Sequence, residues 1–211
     1  HNVQKICMKV VILAGGLGTR LSEETHLRPK PMVEIGGKPI LWHILKIYSH
    51  FGINEFIICC GHKGYLIKEY FANYLRQNSD ITVDLKTGDI DYTKSVSEDW
   101  KVSLIDTGAE SMTGGRLLRL KTLLENEESF CFTYGDGVGD VDISNAIKFH
   151  KEHCKIATIT GARPPGRFGA IETLGKMALN FREKQDADSA IVNAGFFVLS
   201  PKVFDYLKDD Q

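Results

Sequence analysis

Lys9-Val10-Val11-Ile12-Leu13-Ala14-Gly15-Gly16-Leu17-Gly18-Thr19-Arg20 is the stretch on which the fold turns. Residues suited to a strand buried on both faces run straight into a glycine-rich turn, and ligands of open α/β sheets bind beyond the carboxyl ends of such strands. Glycines there let backbone N–H groups close on phosphate oxygens with no side chain in the way. Two familiar phosphate loops do not fit. Gly16-x-Gly18 lacks the third glycine of a dinucleotide fingerprint, because Leu21 stands in its place, and no G-x-x-x-x-G-K-S/T stretch occurs. On spacing alone the turn serves equally as a tight connection, so the residues that follow must separate the two readings.

Outward from this stretch, strand-like runs at Lys9 to Ala14, Glu55 to Cys60, Ser129 to Tyr134 and Lys155 to Gly161 alternate with helical patterns. The helices are expected at Ile40 to Phe51, Tyr65 to Arg76, Gly115 to Glu125 and Asp142 to His153. That alternation predicts a mostly parallel sheet covered on both faces. In the helix from Ile40, the apolar positions Ile40, Leu41, Ile44, Leu45, Ile47, Tyr48 and Phe51 keep three-four spacing, Pro39 suits the first turn and Gly52 supplies a stop. Beyond Pro164 short strand-like runs at Gly169 to Thr173, Met177 to Glu183 and Ile191 to Leu199 predict mixed, partly antiparallel structure, then a short helix from Pro201.

The 211 residues, 43% hydrophobic and 25% charged, suffice for one buried core, and no linker or repeat divides them. Residues 8–211 are expected to be one domain. Residues 1–7 lack the apolar run of a signal peptide and are expected to be a leftover or frayed lead-in. A formal charge of -1 provides no basic field for nucleic acid, so polyphosphate must be met by a local group of cations. The apolar runs Val10 to Ala14 and Phe56 to Cys60 fall far short of the roughly 20 residues that span a bilayer. Five cysteines without C-x-x-C spacing, most in apolar runs, suit small buried hydrophobes in a reducing cytoplasm. His150, His153 and Cys154 are the nearest approach to a metal cluster; both histidines are expected on a solvated helix face, and structural zinc needs four convergent ligands.

Arg20, Arg28 and Lys30 bring three cations within eleven residues, and Pro29 and Pro31 stiffen the chain around Lys30. Cations held in place before charge develops on phosphate oxygens are the main device of phosphoryl chemistry. In Leu13 to Leu21, Pro29-Lys30-Pro31-Met32 and Gly36-Gly37-Lys38-Pro39-Ile40, the chain resembles the sugar nucleotidyltransferases. Further segments narrow the likeness. Asp106-Thr107-Gly108 and Ser111-Met112-Thr113-Gly114-Gly115-Arg116 resemble the segment with which the cytidylyltransferases of glucose 1-phosphate complete their nucleotide pocket. Read bottom-up, the same residues are a strand end and a helix start offering N–H groups to an anion. Phe132-Thr133-Tyr134-Gly135-Asp136-Gly137 sets a carboxylate just after a strand, and magnesium is satisfied by one or two carboxylates plus substrate phosphates.

The resemblance implies a Rossmann-like, three-layer α/β domain that joins CTP and glucose 1-phosphate with Mg2+, in a homo-oligomer at full length. It assigns Leu13, Ala14, Gly15, Gly16, Gly18, Thr19, Arg20, Lys30, Ser111, Gly115, Arg116 and Gly135 to the nucleotide, and Asp136 to the metal. Arg167, Gly169, Glu183, Lys184 and Asn193 go to the sugar phosphate. Arg20, Lys30 and Asp136 are the expected catalytic residues, acting on in-line attack by the sugar phosphate on the α-phosphorus. Two departures bear on this. Gln185 and Asp186 follow Lys184 where a proline and a second basic residue are usual, and the chain stops at Gln211, before the family's C-terminal segment with a second metal-binding Asp. Uridylyl-, thymidylyl- and guanylyltransferases share the glycine-rich start, and a non-catalytic nucleotide or sugar-phosphate sensor would retain the same pocket.

Overall fold

The computed structural model describes residues 6–16, 28–94, 97–163, 170–174, 177–182 and 191–208. In chain order, β1 (Lys9–Leu13) is followed by a 3-10 turn at Lys30–Met32, a small hairpin of β2 (Glu34–Ile35) and β3 (Lys38–Pro39), α1 (Ile40–His50) and β4 (Glu55–Cys60). Then come α2 (Gly64–Ala72), α3 (Tyr74–Gln77), a hairpin of β5 (Asp80–Val83) and β6 (Ile90–Thr93), β7 (Lys101–Asp106), α4 (Thr113–Leu118) and α5 (Lys121–Leu124). β8 (Phe130–Tyr134), α6 (Ile143–His153), β9 (Ala157–Ala162), β10 (Ala170–Leu174), β11 (Met177–Arg182), β12 (Val192–Leu199) and a 3-10 turn at Pro201–Asp205 complete the described chain.

Six strands make one sheet in the order β7-β4-β1-β8-β12-β9. β7, β4, β1 and β8 are parallel neighbours, while β12 runs antiparallel to both β8 and β9. Val10, Val11 and Ile12 are fully buried, as a central strand covered on both faces requires. The chain lays β4 and β7 on one side of β1 and then returns to put β8 on the other. The carboxyl ends of β1 and β8 are therefore the switch point at which a crevice opens.

Three layers result. On one face α1 buries Leu41, Ile44, Leu45 and Tyr48 against Val10, Ile12 and Phe56, joined by Ile67 of α2 and by Ile143 and Ile147 of α6. On the other, Leu117 of α4, Leu120 and Leu124 of α5 cover Val11, Ile57, Phe130 and Phe132, with Phe204 beside them. α1 ends where expected: Gly52, at φ +83, donates to the Ser49 carbonyl. Pro39 stands one position earlier than the first turn, at the N-cap.

The structure departs from the sequence reading at several points. The helix expected at Tyr65 to Arg76 is broken at Asn73, whose side chain donates to the Glu69 carbonyl in competition with the backbone. That expected at Gly115 to Glu125 breaks around Leu120, which keeps Leu117, Leu120 and Leu124 in one apolar cluster. β9 aligns with the parallel strands but is reached through antiparallel β12 at the sheet edge. His150 is not on a solvated face as expected but is buried, 5% exposed. Its Nδ1 meets the Thr158 hydroxyl at 2.8 Å, which satisfies the ring where α6 packs on β9, and His153 Nε2 meets the same oxygen at 2.6 Å. Cys59, Cys60 and Cys131 are buried, and Cys7 and Cys154 exposed.

Candidate active site

β1 and β8 run in register through Leu13 and Tyr134, and the Gly135 amide donates to the Leu13 carbonyl at 2.8 Å. A Cβ on Gly135 would stand 2.6 Å from that carbonyl oxygen, so only glycine lets the two strand ends close. Above them lies a cleft of about 390 Å³. Its floor is Leu13, Ala14, Gly15 and Gly16, one wall carries Lys30, Pro31 and Asp136, and the other carries Ser111, Met112, Thr113 and Arg116, with Tyr134 also lining it.

Lys30 opens the 3-10 turn flanked by Pro29, at φ −64, and the buried Pro31, and Val33 donates to the Lys30 carbonyl at 3.0 Å. Its Nζ stands 3.6 Å from Asp136 Oδ2; the lysine side chain is 19% exposed and the carboxylate 46%. A cation on a stiff turn thus meets a half-open carboxylate beside exposed Gly16, whose surroundings would admit even a Cβ. Arg28, grouped with Lys30 on sequence, turns to Glu34 at 2.7 Å and lines a separate groove.

Arg116 is 4% exposed, and its guanidinium is engaged with the loops around it. Nη1 donates to the Gly108 carbonyl at 2.7 Å, to Thr107 Oγ1 at 3.0 Å and to the Cys60 carbonyl at 3.4 Å. Nη2 donates to the carbonyls of Gly15 at 2.9 Å and Ala109 at 3.1 Å. One side chain therefore ties the β1 turn to the ends of β4 and β7. Space is tight: a Cβ on Gly61 would stand 2.6 Å from Nη1 and 2.7 Å from the Gly15 carbonyl oxygen. Ser111, which lines the cleft, accepts from Arg119 at 2.7 Å, and Gly115 is buried in α4. Burial pushes the Cys59 thiol up to about 12 and the Cys60 thiol to about 11, so both are apolar supports for this corner and not nucleophiles.

Asn193 lies on β12 beyond the cleft wall, where its Oδ1 accepts from Gly195 at 2.8 Å. Gly18, Thr19, Arg20, Arg167, Gly169, Glu183 and Lys184 lie outside the described residues. Among the described residues, no group of three or more His, Cys, Asp and Glu stands ready to hold a metal, so Asp136 is the carboxylate the cleft offers.

The nucleotidyl transferase family model matches residues 9–211. The chain belongs to this family. It is similar to the glucose-1-phosphate cytidylyltransferase of Salmonella typhimurium, with 57% identity over 203 residues covering 96% of this chain and 79% of that protein. The probable glucose-1-phosphate cytidylyltransferase of Bacillus subtilis is 46% identical over the same shares. Among solved structures, HddC from Yersinia pseudotuberculosis superposes with a TM-score of 0.67 at 25% identity, over 97% of this chain and 81% of that one.

For a nucleotidyl transferase the cleft holds two features that sequence reading missed. Tyr134 was seen only as part of a strand end, although an aromatic directly before Gly135-Asp136 at the switch point must border whatever fills the crevice. The support role of Gly61 left no sequence signal, because a lone glycine does not reveal a guanidinium packed against it.

Proposed function

We infer that this chain is a glucose-1-phosphate cytidylyltransferase: it transfers CMP from CTP to glucose 1-phosphate, giving CDP-glucose and pyrophosphate. The observation that carries this is the 57% identity to an enzyme of that name, with Lys30 and Asp136 meeting at the glycine turn. A phosphate oxygen of glucose 1-phosphate attacks the α-phosphorus, the bond to the β-phosphate oxygen breaks, and pyrophosphate leaves in line. No covalent enzyme intermediate is required, so catalysis rests on positioning and charge.

In this reading Gly15 and Gly16 receive the triphosphate, with Gly18 and Thr19 continuing the cradle. Lys30 and Arg20 neutralise the reacting phosphates, while Lys184 and Arg167 hold the sugar phosphate. Asp136 suits Mg2+, because a half-exposed carboxylate lining a cleft of about 390 Å³ would leave room for phosphate oxygens and water around the ion. When bound, the metal withdraws charge from the phosphate oxygens and leaving pyrophosphate. Lys30, whose Nζ stands 3.6 Å from Asp136 Oδ2, would offer its cation to the same phosphates. The free thiols are in keeping with a reducing cytoplasm, and the reading takes residues 8–211 as one domain of a homo-oligomer.

The test is pyrophosphate release with Mg2+ and glucose 1-phosphate, offered in turn with CTP, UTP, dTTP and GTP. Release with CTP in preference to the others is expected; release with another nucleotide alone overturns the base, and silence with all four overturns the activity.

A further inference from the structure

The reacting phosphates belong over Gly15, Gly16, Lys30 and Asp136, and the two sides of that point differ in kind. On the β4 and β7 side the corner is filled by backbone loops tied to Arg116. On the β8 and β12 side it is an aromatic ring. Tyr134 ends β8, two residues before Asp136, and is half-buried in the cleft wall. Phe132 and Phe197 brace it edge-on, with ring centroids 6.2 and 5.9 Å away.

Its rear is closed by backbone. Gly195, at φ +83, presents its Cα so closely that a Cβ would stand 3.1 Å from Tyr134 Cδ2. That glycine is itself held, since its carbonyl accepts from the Thr133 hydroxyl at 2.8 Å and its amide donates to Asn193. The ring cannot retreat from the cleft. Its phenol hydroxyl has no hydrogen-bond partner among the described residues, although a tyrosine fixed this firmly ordinarily finds one. A rigid ring whose hydroxyl meets no described residue, next to the group that handles the phosphate, matches a ligand with a carbon skeleton on one face and hydroxyls at its edge.

We propose that Tyr134 contacts the substrate directly, packing against the pyranose of the sugar 1-phosphate while its hydroxyl engages a sugar hydroxyl. This rests on the cytidylyltransferase reading above. Asn193 and Gly195 become positioning residues that set the ring from behind.

The experiment is steady-state kinetics of wild type, Tyr134→Phe and Tyr134→Ala, with CTP and glucose 1-phosphate varied separately and thermal unfolding of each protein measured alongside. Tyr134→Phe keeps the ring and its bracing, and losing one hydrogen bond is expected to raise the KM for glucose 1-phosphate about three- to tenfold. Tyr134→Ala is expected to raise it by about tenfold or more beyond the phenylalanine variant, because contact with the ring face goes too. The KM for CTP should stay within about twofold of wild type in both, a split that general loosening of the fold would not produce. A KM for glucose 1-phosphate that is unmoved in Tyr134→Phe overturns the proposal, even if the alanine variant fails to fold. So does a rise confined to CTP, which would assign the ring to the nucleotide. Wild type that forms no CDP-glucose would instead overturn the reading of the activity, and is seen before any variant is made.

Discussion

Replacing Arg116 with methionine keeps most of the side chain's length and removes the guanidinium that joins three loops. Five hydrogen bonds go with it, to the carbonyls of Gly15, Cys60, Gly108 and Ala109 and to the Thr107 hydroxyl, all at a residue 4% exposed. Such charge-assisted bonds contribute about 1.5–3 kcal/mol each, are not additive, and are offset by the desolvation of the cation, so the expected loss is about 3–5 kcal/mol. At about 2–4 °C per kcal/mol for a chain of this size, the melting temperature should fall by about 6–20 °C. Differential scanning calorimetry or thermal circular dichroism reads this directly. A double-mutant cycle separates the clamp from a general packing effect. Gly15→Ala in wild type drives a methyl into the guanidinium and to 2.9 Å from the Gly61 amide nitrogen, so its cost should shrink, without vanishing, in the Arg116→Met background. Gly61→Ala also meets the Gly15 and Gly108 carbonyl oxygens, at 2.7 and 2.8 Å, so its cost should persist. A fall of under about 2 °C for Arg116→Met, or equal costs of Gly15→Ala in both backgrounds, refutes the clamp.

Lys30→Ala should slow turnover by about two to three orders of magnitude, the scale seen when one preorganised donor to a developing charge is lost; initial rates at saturating substrates measure it, and near-normal turnover sinks the role. Asp136→Asn should raise the Mg2+ concentration needed for half-maximal rate while leaving the fold intact, read from a magnesium titration together with the melting temperature. A thiol reagent at about pH 8 should label Cys7 and Cys154 quickly in the native protein and all five cysteines after denaturation, because burial pushes Cys59 and Cys131 up to about 12 and Cys60 to about 11. Burial lowers the His150 pKa and neighbouring His153 lowers it further, so the folded state prefers the neutral ring. Stability from this site is full above the ordinary histidine value of about 6.5 and declines as pH falls through it toward the lowered folded value. The stability gap between wild type and His150→Gln should therefore be wider at about pH 8 than at about pH 5.5, by urea unfolding.

What could be read from the sequence follows from where each residue's signal comes from. β1 and its glycine turn, α1, β4 and β8 were legible because full burial on both faces, or on one helical stripe, leaves an unbroken apolar pattern. Of β7 only the end at Asp106 was legible, because it is a sheet edge: Lys101, Ser103 and Asp106 interrupt Val102, Leu104 and Ile105, and no residue of the strand is fully buried. The β5–β6 hairpin escaped for a related reason, since all eight of its strand residues are exposed and nothing in their order demands a partner. Arg116 lines the cleft, but spacing could not foresee a fork turned onto backbone carbonyls. That depends on the ends of β1, β4 and β7 converging in space, with 101 residues separating Arg116 from Gly15.

This convergence divides the cleft by the kind of constraint acting on it. Around Arg116, the residues Gly15, Gly61, Thr107 and Gly108 are held by close contact and buried hydrogen bonds, so substitution there is felt first in stability. Lys30 and Asp136 meet at 3.6 Å with the carboxylate half-exposed, a pair that contributes at most about 1 kcal/mol to the fold. Their replacement should be felt in turnover and hardly in melting temperature. Tyr134 stands between these classes, braced like a core ring by Phe132 and Phe197 yet open to the cleft on its other side. A phenylalanine there should melt like wild type and bind sugar phosphate less tightly.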